Sequence, residues 1–445
     1  MRTERRCGRQ GALLCLLLCA LLLVRRGPAP PTRLQLGGAP AACRVNESVA
    51  DWLAARSVEV LSCAAYAAAH GRIRAASMRE SGLGRAGYVV DAASCDEATA
   101  AALPSGAGLC VSAGGEAADA SCLPHFVIPG AMKSGTGELM KWLNIHPLLR
   151  SGSGDGGKNE VHFFQEQLPG GSWQQYAARF PRGSIARGEY GFDKSPDYIR
   201  SPVKMASLQQ MLPDVRLVIL LRDPTERLLS GFRHNCRHGR YARVTRSLPV
   251  RPQPARSSGA QIRAGAVVNL ETIGGIVPRN ESAGAFAKIY RCSAADAAMF
   301  YLGSTQPGNA SELQLQAREE FRYGAYHEQL SSALQLFTSE RVLVLFQEEM
   351  LGDTLGTLRR VENFLGVPCY DFASVAAPPR AQGEPPQRLH AATGPRAGRR
   401  AARAWQAPLQ LRERLRELYR PLNTLLQRLL RQHYGEEGAL PTAWS

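Results

Sequence analysis

Residues 126–137 read Phe-Val-Ile-Pro-Gly-Ala-Met-Lys-Ser-Gly-Thr-Gly, and the fold turns on this stretch. Phe126, Val127 and Ile128 form a short apolar run suited to a buried strand. Gly130, Gly135 and Gly137 let the backbone turn tightly and bring its N–H groups close to an anion. Lys133 adds a point charge, and Ser134 and Thr136 add hydroxyls. From Glu138 the pattern becomes helical, with Leu139, Met140, Trp142 and Leu143. Strand, glycine-rich turn and helix N-terminus in succession make a phosphate cradle, because unbonded amides and the helix dipole both face the anion. The loop is not a Walker A motif, which requires Gly-Lys-Ser/Thr at its end. Here Thr136 follows Gly135, and the lysine precedes that glycine by two residues.

A second constellation spans 215–233, Val-Arg-Leu-Val-Ile-Leu-Leu-Arg-Asp-Pro-Thr-Glu-Arg-Leu-Leu-Ser-Gly-Phe-Arg. Leu217–Leu221 is a continuous apolar run, as expected of a central parallel strand buried on both faces. Arg222 falls at its carboxyl end, where open α/β sheets bind ligands. Pro224 suits the first position of a helix, and Ser230 then lies two turns along it. Arg222, with a planar fork of donors, and Ser230 could converge on one phosphate.

These strings resemble those of sulfotransferases that use 3′-phosphoadenosine 5′-phosphosulfate (PAPS). Lys-Ser-Gly-Thr at a strand end resembles their 5′-phosphosulfate loop, which implies that Lys133, Ser134, Gly135, Thr136 and Gly137 bind the donor. The 215–233 string resembles their 3′-phosphate motif, which implies that role for Arg222 and Ser230. Lys158-Asn-Glu-Val-His-Phe-Phe164 is similar to the Lys-Glu-x-His-Phe-Phe string of Golgi heparan sulfate sulfotransferases, although Asn159 displaces Lys158 by one. The family's general base maps to Glu160, with His162 beside it as a further catalytic candidate. Gly191-Phe-Asp-Lys-Ser-Pro-Asp-Tyr198 resembles their Glu-Lys-Ser-Pro-x-Tyr segment and implies that Lys194 and Ser195 meet the acceptor. Gly398-Arg399 is a counterpart of a late Gly-Arg pair that touches the 3′-phosphate. Residues 324–366 read as helix, strand (Val342–Phe346) and helix, similar in order to the closing half of a carbohydrate sulfotransferase domain, and 417–426 resembles its terminal helices.

The whole chain agrees with that reading. It has 445 residues, a formal net charge of +16 and 44% hydrophobic residues, enough for a large catalytic domain with a positive field toward anionic partners. Zinc-finger spacing, RNA-recognition signatures and aromatic–basic interleaving are absent from the sequence, so nucleic acid is not the expected partner. Nor is there a CxxC pair or another metal-ligand cluster in it. The apolar run Gly11–Val24, preceded by basic residues, is short for a span but suits a signal-anchor with its N-terminus in the cytosol; a cleaved signal peptide is the other reading. Eleven cysteines and sequons at Asn46, Asn280 and Asn309 fit a lumenal, disulfide-permissive setting.

The expected layout is therefore a cytosolic tail (1–10), a signal-anchor (11–24), a stem (25–42), a cysteine-containing accessory region (43–121) and a sulfotransferase domain (122–435) with an insertion at 240–321. Helical stretches such as Val49–Ala69 are expected in the accessory region, and a Cys236–Cys292 disulfide would close the insertion. The expected fold is α/β, a P-loop-like sandwich with a central parallel sheet flanked by helices. The resemblance implies a single-pass type II Golgi membrane enzyme that moves a sulfuryl group from PAPS to a glycan, glycosaminoglycan-type, without a metal. Alternatives are a small-molecule or protein acceptor, or a P-loop nucleotide kinase; for the last, Arg222-Asp223 is a poor magnesium-binding motif.

Overall fold

In the computed structural model, the residues described are 48–79, 86–96, 106–154, 160–164, 172–237, 277–278, 290–291, 319–376 and 409–444. The chain opens with helix α1 (Val49–Ala54), whose first turn Ser48 and Asp51 close as a capping box. Strand β1 (Ser57–Ser62), helix α2 (Cys63–Arg79) and strand β2 (Ala86–Asp91) follow as a β-α-β unit, with β3 (Cys110–Ser112) parallel to β2 and the short β4 (Ser121–Cys122) antiparallel to β3. The helix expected across Val49–Ala69 is thus broken by a strand: Val58, Val60 and the residues between them join a sheet. Disulfides Cys63–Cys95 and Cys110–Cys122 staple this region, and Cys369 is also disulfide-bonded.

The second sheet carries the site. Its strands are β5 (Phe126–Gly130), β6 (Leu149–Ser151), β7 (Tyr190–Lys194), β8 (Arg216–Leu221) and, after a small ribbon of β9 (Val277–Pro278) and β10 (Tyr290–Arg291), β11 (Val342–Phe346). The order is β11-β8-β5-β7-β6, with every pairing parallel. Between and after them run α3 (Thr136–Leu143), α4 (Trp173–Ala177), α5 (Pro202–Met211), α6 (Pro224–Arg237), α7 (Tyr326–Leu336), α8 (Gln347–Gly352), α9 (Thr354–Leu365), α10 (Phe372–Ala376) and the long α11 (Leu409–Tyr434).

Strand periodicity divides the core into two layers. Val127, Leu217, Ile219, Leu221, Val342 and Val344 point to one face, where Met205 and Leu208 of α5, Leu330 and Ala333 of α7, and Leu426 and Leu430 of α11 cover them. Phe126, Ile128, Val218, Leu220, Leu343 and Leu345 point to the other, under Leu139 and Leu143 of α3 and Leu358, Val361 and Leu365 of α9. A sheet buried on both faces explains why its central strands read as unbroken apolar runs. The first layer continues into the N-terminal region through Cys63, Tyr66, Val90, Leu109 and Leu123. Arg56 strengthens that junction: it donates to the Gly188 carbonyl at 3.1 Å and lies 4.4 Å over the Tyr190 ring.

The segment 1–47, with the expected anchor, stem and first sequon, lies outside the described residues. So do Lys158, Asn159, Arg399, Cys292, the sequons at Asn280 and Asn309, and the insertion apart from β9, β10 and its last residues.

Candidate active site

All five parallel strands deliver their carboxyl ends to one edge, and most of the predicted residues that are described collect there. The loop after β5 turns through Lys133, at φ 68°, and Gly135, at φ 96°. A Cβ on Gly135 would also stand 2.9 Å from Gln347 Nε2 of α8, so only glycine fits there without displacing that side chain. Gly135 caps α3. The backbone N–H groups of Gly135, Thr136 and Gly137 make no hydrogen bond among the described residues, while Glu138 and Leu139 both donate to the Gly135 carbonyl. Three successive unbonded amides at a helix start are an anion cradle. Space above Gly137 is open, with nothing within 4 Å of where a Cβ would stand. Ser134 is fully buried beneath the loop, its hydroxyl facing that of Tyr326, and Thr136 is buried as well.

Arg222 stands at the end of β8 with part of its side chain exposed, and its Nη1 donates to the Lys133 carbonyl at 3.3 Å. The strand-end guanidinium and the glycine loop are therefore one assembly. Asp223 turns away from it: its carboxylate caps α6 through Thr225 N–H at 2.8 Å, and its own N–H donates to Glu348 at 2.8 Å. Ser230 lies on α6 and is half-buried.

Beside the cradle runs a chain of alternating charges. Lys194 Nζ meets Glu160 Oε1 at 2.6 Å; Glu160 Oε2 meets His162 Nε2 at 2.7 Å; His162 Nδ1 meets Asp197 Oδ1 at 2.7 Å; Asp197 Oδ2 meets Lys204 Nζ at 2.6 Å. The outer groups are buried, Lys194 to 4% exposure, whereas Glu160 and His162 keep 38% and 42% of their side chains open. Hydrogen bonds donated by its ring N–H groups to Asp197 and Glu160 outweigh burial and raise the His162 imidazole to about 9, so it is protonated near neutrality. Burial would raise Glu160, but hydrogen bonds from His162 and Lys194 prevail and bring it down to about 2. Asp197 is likewise lowered, burial again losing to His162 and Lys204.

A buried hydroxyl frame aims this chain. Asp193, with no exposure, accepts from Ser195 at 2.7 Å, Tyr176 at 2.7 Å and Tyr198 at 3.1 Å. Burial raises its carboxyl to about 6 against those three bonds. Ser195 Oγ in turn accepts the His162 N–H at 2.8 Å, and Tyr198 OH accepts that of Phe163 at 2.7 Å. The backbone carrying Glu160 and His162, at φ 48° for the latter, is thus held by hydroxyls set by one carboxylate. The same stretch packs on the cradle: Ser195 N–H donates to Ile128 O at 3.2 Å and Ile199 N–H to Pro129 O at 3.0 Å.

The structure therefore brings together Lys133, Ser134, Gly135, Thr136, Gly137, Arg222, Glu160, His162, Lys194 and Ser195 at one edge. Ser195 is fully buried and engaged with its neighbours rather than turned outward. Sequence reasoning missed Asp193, Asp197, Tyr198 and Lys204. The first three sit in the string 191–198, where acidic residues flanking a strand-end lysine were a usable signal; Lys204 had none.

A parallel α/β sandwich with an amide cradle after one strand and a cradle-linked arginine after its neighbour is an architecture suited to holding a phosphate-bearing nucleotide at its carboxyl edge. Residues 123–371 match the sulfotransferase domain family, and the chain belongs to it. Among characterised relatives, heparan sulfate glucosamine 3-O-sulfotransferase 3A1 from Homo sapiens is 24% identical over 334 residues, covering 71% of this chain and 63% of that protein. The mouse protein of the same name gives the same identity and covers 65% of its own length. The chain thus spans just under two thirds of these relatives. The membrane-associated sulfotransferase kil1 of Dictyostelium discoideum is 35% identical over 113 residues, 25% of this chain and 23% of that protein. A solved sulfotransferase from Alicyclobacillus acidocaldarius is similar at 19% identity and a TM-score of 0.39, covering 72% of this chain and 98% of that one.

Proposed function

We propose that this protein transfers a sulfuryl group from PAPS to a hydroxyl or amine of an acidic glycan of the glycosaminoglycan class. The observation that carries the reading is the single edge on which three unbonded amides, a cradle-tied arginine and a half-open carboxylate meet. Membership of the sulfotransferase family and the heparan sulfate relatives support the donor and the acceptor class. PAPS would supply the sulfuryl group and leave as the 3′,5′-bisphosphate.

Lys133 and the amides of Gly135, Thr136 and Gly137 hold the 5′-phosphosulfate, where Lys133 neutralises charge growing on the bridging oxygen as the S–O bond breaks. Ser134 and Thr136, both buried, brace the loop from within. Arg222, Ser230 and Arg399 hold the 3′-phosphate and fix the register of the donor. Lys194 and Ser195 belong to the acceptor side, Lys194 through Glu160 and Ser195 through the backbone of His162. The acceptor oxygen forms its bond to sulfur in line with the departing phosphate oxygen, and its proton passes to Glu160. Positioning and electrostatics then provide most of the acceleration, as in phosphoryl transfer.

The charge chain gives this assignment a physical condition. A carboxylate lowered to about 2 is always ionised, as a base must be, but is a weak proton acceptor. Both of its oxygens are occupied, by Lys194 and His162. An acceptor hydroxyl that replaces one of these donors at Glu160 raises its basicity where the proton leaves. The positive groups around it, with the chain's net charge of +16, suit a polyanionic acceptor.

We further assign the chain to the Golgi membrane as a single-pass type II protein anchored by 11–24, with the catalytic domain lumenal. No helix among the described residues is long and apolar enough to cross a membrane. The test of the function is transfer of radiolabelled sulfate from PAPS to desulfated heparan, chondroitin and dermatan chains by residues 43–445. Label in one chain establishes reaction and acceptor class together; no label and no PAPS binding overturns the reading.

A further inference from the structure

The first turn of α11 reaches the candidate donor site from far along the chain. Arg412 Nη1 pairs with Glu226 Oε1 in the first turn of α6, across 186 residues of sequence. The other oxygen, Glu226 Oε2, lies 3.9 Å from Arg222 Nη2. All three side chains are about a quarter exposed. One carboxylate is therefore shared by two guanidiniums, closely by Arg412 and at the outer limit of pairing by Arg222. The remaining fork of Arg222 bonds to the Lys133 carbonyl.

This sharing has a chemical consequence. Glu226 sits one helical turn from Arg222, close enough to take its whole fork in a bidentate pair. With two of its five N–H donors on Glu226 and Nη1 on the Lys133 carbonyl, an arginine so paired keeps little of its fork for an anion. By holding Oε1 of Glu226, Arg412 keeps the pair through Oε2 long and leaves most of the Arg222 fork available. We propose that Arg412 is a positioning residue for the donor's 3′-phosphate, acting through Glu226 on Arg222. The proposal rests on the donor reading given above and adds to it a residue outside the matched region 123–371.

Binding of adenosine 3′,5′-bisphosphate (PAP) and of 5′-AMP, which lacks the 3′-phosphate, separates the possibilities by isothermal titration. The wild-type chain is expected to favour PAP. Arg412→Ala is expected to weaken PAP by about tenfold, the scale of one charge-assisted hydrogen bond, and to leave 5′-AMP unchanged. Arg412→Lys retains part of the PAP affinity. The double variant Arg412→Ala/Glu226→Gln is expected to recover most of it, because the competing carboxylate is gone; a merely structural Arg412 would show no such rescue. If Arg412→Ala bound PAP like the wild type, or if the double variant stayed as weak as Arg412→Ala, the proposal fails while the donor reading stands. A wild-type chain with no preference for PAP over 5′-AMP overturns the donor reading itself, and this proposal with it.

Discussion

Glu160 is held by two cations, one of them almost fully buried, and this governs how it can be tested. Truncating Glu160 to alanine would strand Lys194, at 4% exposure, as an uncompensated buried charge. Glu160→Gln keeps the shape and a hydrogen-bonding oxygen for Lys194. We expect it to bind PAP normally and to lose turnover by about 10²- to 10⁴-fold, the usual contribution of a general base; near-normal kcat would remove Glu160 from that role. Lys133→Ala and Arg222→Ala should instead weaken PAP binding by at least about tenfold, measured by titration. His162 supplies a pH signature. Its folded value of about 9 exceeds the ordinary 6.5, so its stabilisation is complete below pH 6.5 and disappears as pH rises toward 9. The shifted histidines His125, His146 and His433 all move downward and act below that window. A fall in Tm between pH 6.5 and 9 is expected in the wild type and should be absent in His162→Gln.

Among the elements, the turn from β5 into α3 separates a folding requirement from a binding one. Gly135 has a left-handed φ and Gln347 close by, so Gly135→Ala is expected to lower Tm and weaken PAP together. Gly137 has open space around it, so Gly137→Ala should leave Tm unchanged and weaken PAP alone, because the added methyl meets the donor rather than the protein. Equal PAP affinity in Gly137→Ala and wild type would argue that the anion does not sit over this helix start. Much of this element was readable beforehand. The apolar run 126–128, the glycines and the helical spacing from Glu138 are local properties, and local sterics determine them. The charge chain was only half readable, since which carboxylate meets which cation depends on how residues 160–164 lie against 193–204.

At the scale of the whole molecule, the N-terminal sheet is continuous with the catalytic core. Cys63, Tyr66, Val90 and Leu109 pack in one cluster with Val127, Leu217 and Ile219. Deletion of residues 48–121 would expose that cluster, and we expect the remainder to be insoluble or to lack a cooperative thermal transition by circular dichroism. The composition of this region suggested helices tied by disulfides; the disulfides are there, but Ser57–Ser62 pairs with Ala86–Asp91 as a parallel strand. Ser57–Ser62 has no alanine and carries two β-branched valines, and backbone pairing with the neighbouring strand holds it as a largely exposed edge strand.

The sequence by itself determined the sheet-and-helix class, the glycine-rich anion cradle, the strand-end arginine and the family resemblance. These are written in short contiguous strings, where periodicity and backbone sterics act over a few residues. Tertiary structure alone decided that Asp193 sets the hydroxyls under His162, that Asp197 and Lys204 complete the charge chain, and that Arg412 shares Glu226 with Arg222. Most of those contacts join groups distant in sequence, and a charge pair depends on distance and burial, quantities that exist only once the elements have packed.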